Sequence, residues 1–169
     1  MNITKAKTAG FCFGVQRAVD MTYKLVDQGK KVATMGELIH NKQLVADLEK
    51  NGVITLNSTQ VPQGFDVVIR SHGVEKGIYE ELCEKGVNIH DATCPYVKKI
   101  HHLVQELSQK GRTILIAGDS THPEVQGIIS YCEGEVFVFN EPQELESWGK
   151  TGQNNQKPLA LVAQTTYML

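Results

Sequence analysis

The sequence predicts an α/β protein of two similar small lobes, each a mostly parallel sheet flanked by helices. Three observations carry this expectation. Short apolar, β-rich runs alternate with amphipathic helical patterns along most of the 169 residues, the pattern of sheets covered by crossover helices. One run, Asp66-Val67-Val68-Ile69-Arg70, is almost continuously apolar, as a strand buried on both faces must be. The chain also repeats itself: Cys12 and Cys94 stand 82 residues apart, as do His40 and His122, and Gly29/Gly111, Gly36/Gly118, Gly52/Gly134 and Val15/Val97 keep the same interval. Paired positions in this number argue for a duplicated unit.

Taken in order, a helix follows Cys12, with Val15, Ala18, Val19, Leu25 and Val26 on one face and Gly29 as its stop. Residues 31–35 read as a strand. A helix after His40 turns Leu44, Val45 and Leu48 inward and ends at Asn51-Gly52. Residues 53–56 and 66–70 are strands, 75–85 a helix, and 88–92 a strand. The plan then recurs. A helix over 95–110 buries Val97, Ile100, Leu103, Val104 and Leu107 and stops at Gly111. It is followed by a strand at 113–117, a helix at 124–131, a strand at 135–139, a short helix near 142–148, a polar loop at 150–157 and a strand at 159–163. The lobes divide at 1–93 and 94–169, the second cut short at its end. By the repeat, a strand at 2–7 belongs with an absent third lobe.

Composition excludes several functions. With 17 basic against 19 acidic side chains and a net charge of −2, the chain has no field to hold a nucleic acid, and no Lys/Arg cluster marks a lipid surface. No apolar stretch suits a signal peptide or a membrane span. A cytoplasmic protein is expected, with its four cysteines as thiols or metal ligands rather than disulfides.

Ligands of open parallel sheets bind beyond the carboxyl ends of the strands, and Cys12, His40, His72, Cys94, His122 and Thr165 all follow predicted strands. Cys12 lies in Gly10-Phe11-Cys12-Phe13-Gly14, where glycines let a bulky group approach the backbone. Cys94 precedes Pro95, which suits a first helical turn. Sulfur at a helix N-terminus meets the positive end of the dipole, although a lone free cysteine is more often a small buried hydrophobe. Cys83 and Cys132 lack counterparts in the other copy, and core packing is the better reading for both. Three strand-end histidines, His40, His72 and His122, suggest a pocket for an oxygen-rich anion, since imidazole N–H groups and helix N-terminal amides both donate to phosphate. Glu124 could relay protons beside that pocket, or be a solvated first-turn glutamate. Thr165 offers a hydroxyl at the same rim or simply caps a helix. His90 is assigned a structural place, and His101 and His102 the flank or solvent side of a helix.

Together the segments Gly-Phe-Cys-Phe-Gly-Val, His-Asn, Ser-His-Gly-Val, Asp-Ala-Thr-Cys-Pro, Thr-His-Pro-Glu-Val and Ala-Gln-Thr-Thr resemble the 4-hydroxy-3-methylbut-2-enyl diphosphate reductase family, from Met1 to about Tyr167. The resemblance implies a pseudo-threefold, three-lobe enzyme of the non-mevalonate isoprenoid pathway. It implies a 4Fe–4S cluster held by three cysteines, of which Cys12 and Cys94 match two. It also implies diphosphate binding by His40, His72 and His122, protonation linked to Glu124, and Thr165 near the substrate hydroxyl. The allylic hydroxyl would leave with two electrons and two protons, giving isopentenyl and dimethylallyl diphosphate, and the electrons would come from an external donor such as ferredoxin or flavodoxin.

The chain departs from the family in lacking a third cysteine at such a position: another 82 residues beyond Cys94 gives position 176, past Leu169. A fragment with two of three lobes is therefore expected, inactive alone and unable to keep a stable cluster. Two other readings stay open. Cys12, His40, Cys94 and His122 could form a mononuclear Cys₂His₂ zinc site, or the chain could be a non-catalytic module that binds diphosphates.

Overall fold

A computed structural model describes residues 3, 4, 6, 9–151 and 157–167. The first unit runs α1 (Phe13–Asp27), β1 (Lys31–Met35), α2 (Lys42–Lys50), β2 (Ile54–Leu56), β3 (Phe65–Ile69), α3 (Lys76–Glu84), β4 (Ile89–Asp91). The second runs α4 (Pro95–Gln109), β5 (Thr113–Ala117), α5 (Pro123–Ser130), β6 (Val136–Phe139), α6 (Pro142–Lys150), β7 (Leu159–Ala163). All pairings are parallel, in two sheets ordered β2-β1-β3-β4 and β6-β5-β7.

Helical spacing and glycine stops explain the helices. Helix α1 buries Ala18, Val19, Thr22 and Leu25, residues three or four apart on one face. It ends at Gly29, whose φ of 72° only glycine adopts readily. The strands read as apolar because both sheet faces are covered. In the first sheet Val32 and Val68 pack with α1 and α2, while Ala33, Met35, Val67 and Ile69 pack with Leu82 of α3.

The internal repeat survives as structure. Helices α1 and α4, and strands β1 and β5, superpose in number at the 82-residue interval from first residue to last. The interval then drifts. Ala33 pairs with Ile54 and its counterpart Leu115 with Phe137, a spacing of 83. Lys31 pairs with Phe65 and Thr113 with Leu159, a spacing of 94. The lengthened crossover through α6 is the reason: Trp148 stacks on Phe137 with centroids 5.0 Å apart, so these residues form a covering layer rather than a plain loop. The interval of 82 is therefore not constant along the second unit. Phe65 and Val67 pack in the α3 layer, whereas their counterparts on β7, Leu159 and Leu161, are 44% and 63% exposed.

Of the strand expected at 2–7, Ile3, Thr4 and Ala6 are exposed and outside regular structure; the others lie outside the described residues. Amide exchange at Ile3, Thr4 and Ala6 is accordingly expected to be fast, against strong protection at Val67 and Val68 in the sheet centre; equal protection would contradict the placement. Among the described residues no helix is long and apolar enough to cross a membrane.

Two contacts position the site at the joint between units. The Cys94 amide donates to the Ser71 carbonyl at 2.8 Å, and the Lys76 amide, opening α3, donates to Ser130 Oγ at 2.9 Å.

Candidate functional site

The carboxyl ends of β1, β3 and β5 bring His40, His72 and His122 together. Ring centroids are 5.3 Å apart for His40–His72, 5.1 Å for His72–His122 and 6.1 Å for His40–His122. One nitrogen from each lies within 4.8 Å of the other two. Burial, then the neighbouring His122 and His40 rings and Arg70, pull the pKa of His72 down from 6.5 to about 4. It is thus neutral at pH 7, a donor through N–H rather than a cation.

His122 caps α5, and its Nδ1 accepts the Glu124 amide at 3.1 Å. A nitrogen that accepts carries no proton, so the proton of the neutral ring sits on Nε2. The free nitrogen of His122 therefore offers a hydrogen, which suits an anion; a metal would need a lone pair there.

Glu124, in the first turn of α5, is completely buried. Its Oε1 accepts the Thr165 amide at 2.6 Å and its Oε2 the Thr165 hydroxyl at 2.8 Å. The reading of Glu124 as a solvated first-turn residue is corrected: the loop after β7 closes over it. Thr165 itself is exposed and presents the outer side of its hydroxyl at the rim. Gln164 fixes that loop, accepting the Asp119 amide at 3.2 Å and donating to Thr166 Oγ1 at 2.9 Å.

Cys12 caps α1 and Cys94 caps α4, neither bonding its helix through the side chain. Cys12 is exposed and Cys94 partly so. Helix α1 is tied to the Cys94 loop by Arg17, which donates to the carbonyls of Asp91 at 3.1 Å and Thr93 at 3.3 Å. A Cβ on Gly14 would lie 2.9 Å from Cys94 Sγ, so glycine is required for the thiol to sit against α1. Gly14→Ala is expected to displace the Cys94 thiol and change its alkylation rate severalfold while Cys12 keeps its own; unchanged rates at both would contradict the contact.

The other cysteines stand apart. Cys132 packs in the core of the second unit, where burial pushes its thiol up to about 11. Cys83, expected in the core, is exposed: it lies one residue past inward-facing Leu82, about 100° round the helix. Among the described residues, the cluster of three histidine, cysteine or carboxylate donors is His40, His72 and His122. No Cys₂His₂ grouping of Cys12, His40, Cys94 and His122 forms, and the zinc reading loses its geometry.

Sequence reasoning missed two residues. His101 is 5% exposed, not on the solvent side. It stacks on Tyr131 with centroids 4.3 Å apart, and its Nε2 is buried without a partner. The signal was present, since Val97, His101, Val104 and Ser108 form one buried stripe of α4 at helical spacing. Arg70 was absorbed into the third strand, but it lies just beyond β3, partly buried beside His72. His90, as expected, is structural, with Nε2 2.8 Å from Asp66 Oδ2, and His102 is exposed.

Known proteins share this arrangement of elements and motifs. Residues 3–169 match the family model described as LytB protein. The 4-hydroxy-3-methylbut-2-enyl diphosphate reductase of Geotalea uraniireducens (strain Rf4) is 43% identical over 166 residues, covering 98% of this chain and 57% of the relative. That of Clostridioides difficile (strain 630) is 44% identical over 168 residues, covering 98% and 59%. Among solved structures, one of (E)-4-hydroxy-3-methyl-but-2-enyl diphosphate reductase, the terminal enzyme of the non-mevalonate pathway, matches with a TM-score of 0.81 at 38% identity, over 95% of this chain and 57% of that one. The reductase from Plasmodium falciparum matches with a TM-score of 0.86 at 28% identity, over 95% and 50%. The chain spans little more than half the length of the relatives it matches, and it belongs to the LytB protein family.

Proposed function

We propose that this chain, in two lobes at 1–93 and 94–169, is the diphosphate-holding part of a 4-hydroxy-3-methylbut-2-enyl diphosphate reductase. The observation that carries the reading is the convergence of three imidazoles in which the His122 tautomer is fixed as an outward donor by the Glu124 amide. Donors of this kind, at the start of a helix, match the oxygens of a diphosphate.

Glu124 and Thr165 then serve the other end of the substrate. The Thr165 hydroxyl donates to Glu124, leaving its lone pairs to accept the hydrogen of an allylic hydroxyl. When Glu124 holds a proton, reversing those two bonds passes it through Thr165 Oγ1 to the substrate oxygen, which departs as water rather than hydroxide. Burial of the carboxyl group keeps bulk water from short-circuiting the transfer.

Two unpartnered thiols at helix N-termini, one seated in the cradle left by Gly14, suit soft metal ligation. Cys12 and Cys94 would hold a 4Fe–4S cluster, which would relay electrons and supply Lewis-acid iron at this site. The two electrons and two protons convert the alcohol to isopentenyl or dimethylallyl diphosphate and water, with ferredoxin or flavodoxin as the external donor. Cys83 and Cys132 cannot complete the set from their positions on the outside of α3 and in the core. The chain alone is therefore expected to lose its iron after anaerobic iron–sulfide reconstitution and desalting and to show no reductase activity; a brown, active monomer would contradict this.

The test of the binding role is equilibrium dialysis with 4-hydroxy-3-methylbut-2-enyl diphosphate and with the corresponding free diol. The diphosphate is expected to bind at least about tenfold more tightly, and His122→Ala to lose about tenfold. Equal retention of both compounds would sink the proposal.

A further inference from the structure

The histidine pocket leaves a question of charge. A diphosphate is a multiply charged anion, yet His72 is neutral at pH 7, and the carboxylates Glu37 and Glu75 stand nearby. A lasting positive charge has to come from elsewhere.

Arg70 follows β3 directly, at the carboxyl end of the strand that leads into His72. Its Nε donates to the Gly73 carbonyl at 3.2 Å. Its guanidinium reaches Gly36 with its Nη1 end, where an added Cβ would meet Nη1 at 2.6 Å and Cζ at 3.2 Å. Gly36 also has a φ of 71°, which strains any side chain there, and one would have to push the guanidinium aside. Gly36 opens the segment that ends in His40, and Gly73 immediately follows His72. One side chain thus touches both histidine-bearing loops.

The guanidinium is partly buried, and burial lowers its pKa, although an arginine stays charged at neutral pH. The acidic groups whose fields reach it are Glu37 and Glu75, yet among the described residues no ion pair is made with either. Glu37 instead lies 3.8 Å from His40 Nδ1. Arg70 is also the only cation lining an adjoining cavity of about 280 Å³, which holds none of the three histidines but includes Gly36, Glu75 and the His122 neighbours Thr121 and Pro123. A half-buried cation without a counter-ion is costly unless an anion meets its field.

We infer that Arg70 is the fixed cation of the anion pocket: a positioning residue that clasps the His40 and His72 loops and holds a permanent positive charge beside them. The inference rests on the diphosphate reading of the three histidines. Its charge draws the anion in and its fork sets the spacing of the donors, while the imidazoles make the contacts. Lysine would keep the first of these and lose the second.

The experiment is titration of the 169-residue chain with inorganic pyrophosphate, comparing the parent with Arg70→Met and Arg70→Lys and following the histidine rings by NMR. Arg70→Met is expected to bind about tenfold or more weakly and Arg70→Lys about threefold. Removing the charge should also raise the His72 pKa from about 4, whereas lysine should leave it low; a merely structural role would not separate the variants in this way. Pyrophosphate binding by Arg70→Met within twofold of the parent, or the same His72 titration in all three proteins, would overturn the inference. Should the methionine variant fail to fold, the Arg70 Nε–H signal of the parent decides. It is expected to shift with pyrophosphate along the same isotherm as the histidines, and an unmoved signal counts against the role. If the parent itself ignores pyrophosphate, the diphosphate reading fails and this inference with it; binding by the parent that Arg70 does not influence sinks only the latter.

Discussion

Glu124→Ala is expected to destabilise the chain by about 3 kcal/mol and lower its melting temperature by about 10 °C, whereas Glu124→Gln is expected to be close to neutral. The difference follows from what each change leaves behind. Alanine removes both acceptors of Thr165, at 2.6 and 2.8 Å, and opens a void at a completely buried position. Orphaned donors and a cavity each carry their own cost. Glutamine fills the same space, accepts the Thr165 amide through its oxygen, and lets the hydroxyl turn to accept from its NH₂. What glutamine cannot do is hold a transferable proton, so in the complete enzyme it should abolish turnover while preserving the fold. Thermal unfolding and amide exchange at Thr165 check both parts; an alanine variant as stable as the glutamine variant would contradict the account.

Acid should loosen the joint between the two units. Burial holds His101 at a pKa of about 4, with Asp91 opposing and His102 and Lys98 reinforcing the shift. The unfolded chain takes up this proton near pH 6.5, but the folded chain does not do so until about pH 4. Between those values the unfolded state binds more protons, so stability falls as pH falls; above the window there is no effect, and below it the loss is complete. At pH 5 the cost from His101 is on the order of 2 kcal/mol. His72, also held at about 4, acts in the same direction, with a smaller effect because solvent reaches its ring. His101→Leu gives up the stack on Tyr131 but removes the titrating ring, and so flattens the slope between pH 6.5 and 5. Urea midpoints measured across that range test this, and an unchanged slope in the leucine variant would contradict it.

Much of the architecture was legible because it is local. Strands buried on both faces read as apolar runs, and the glycines that end α1 and α4 mark their own stops. The duplicated positions of His40, Cys94 and His122 placed three candidate residues after strands before any coordinates, while Cys12 caps α1 with no strand among the described residues before it. What stayed hidden depends on contacts distant in sequence. Nothing near Glu124 announces its burial, because the loop that closes over it lies 41 residues on, at Thr165. Arg70 looked like the last residue of a strand because its partners, Gly36 and Gly73, declare themselves only when two loops meet. The short helix near 142–148 was legible in the sequence, but its packing on Phe137, which makes the second unit's longer crossover a covering layer, was not.

The central claim is that His40, His72 and His122 form one site for a diphosphate. The most direct test is NMR of the ¹³C-histidine-labelled chain titrated with inorganic pyrophosphate and, separately, with Zn²⁺. The account predicts that all three rings shift with pyrophosphate along a single isotherm and that the His72 pKa rises from about 4 as the anion binds. A response confined to one ring, or three rings that ignore pyrophosphate and bind Zn²⁺ tightly, would contradict it.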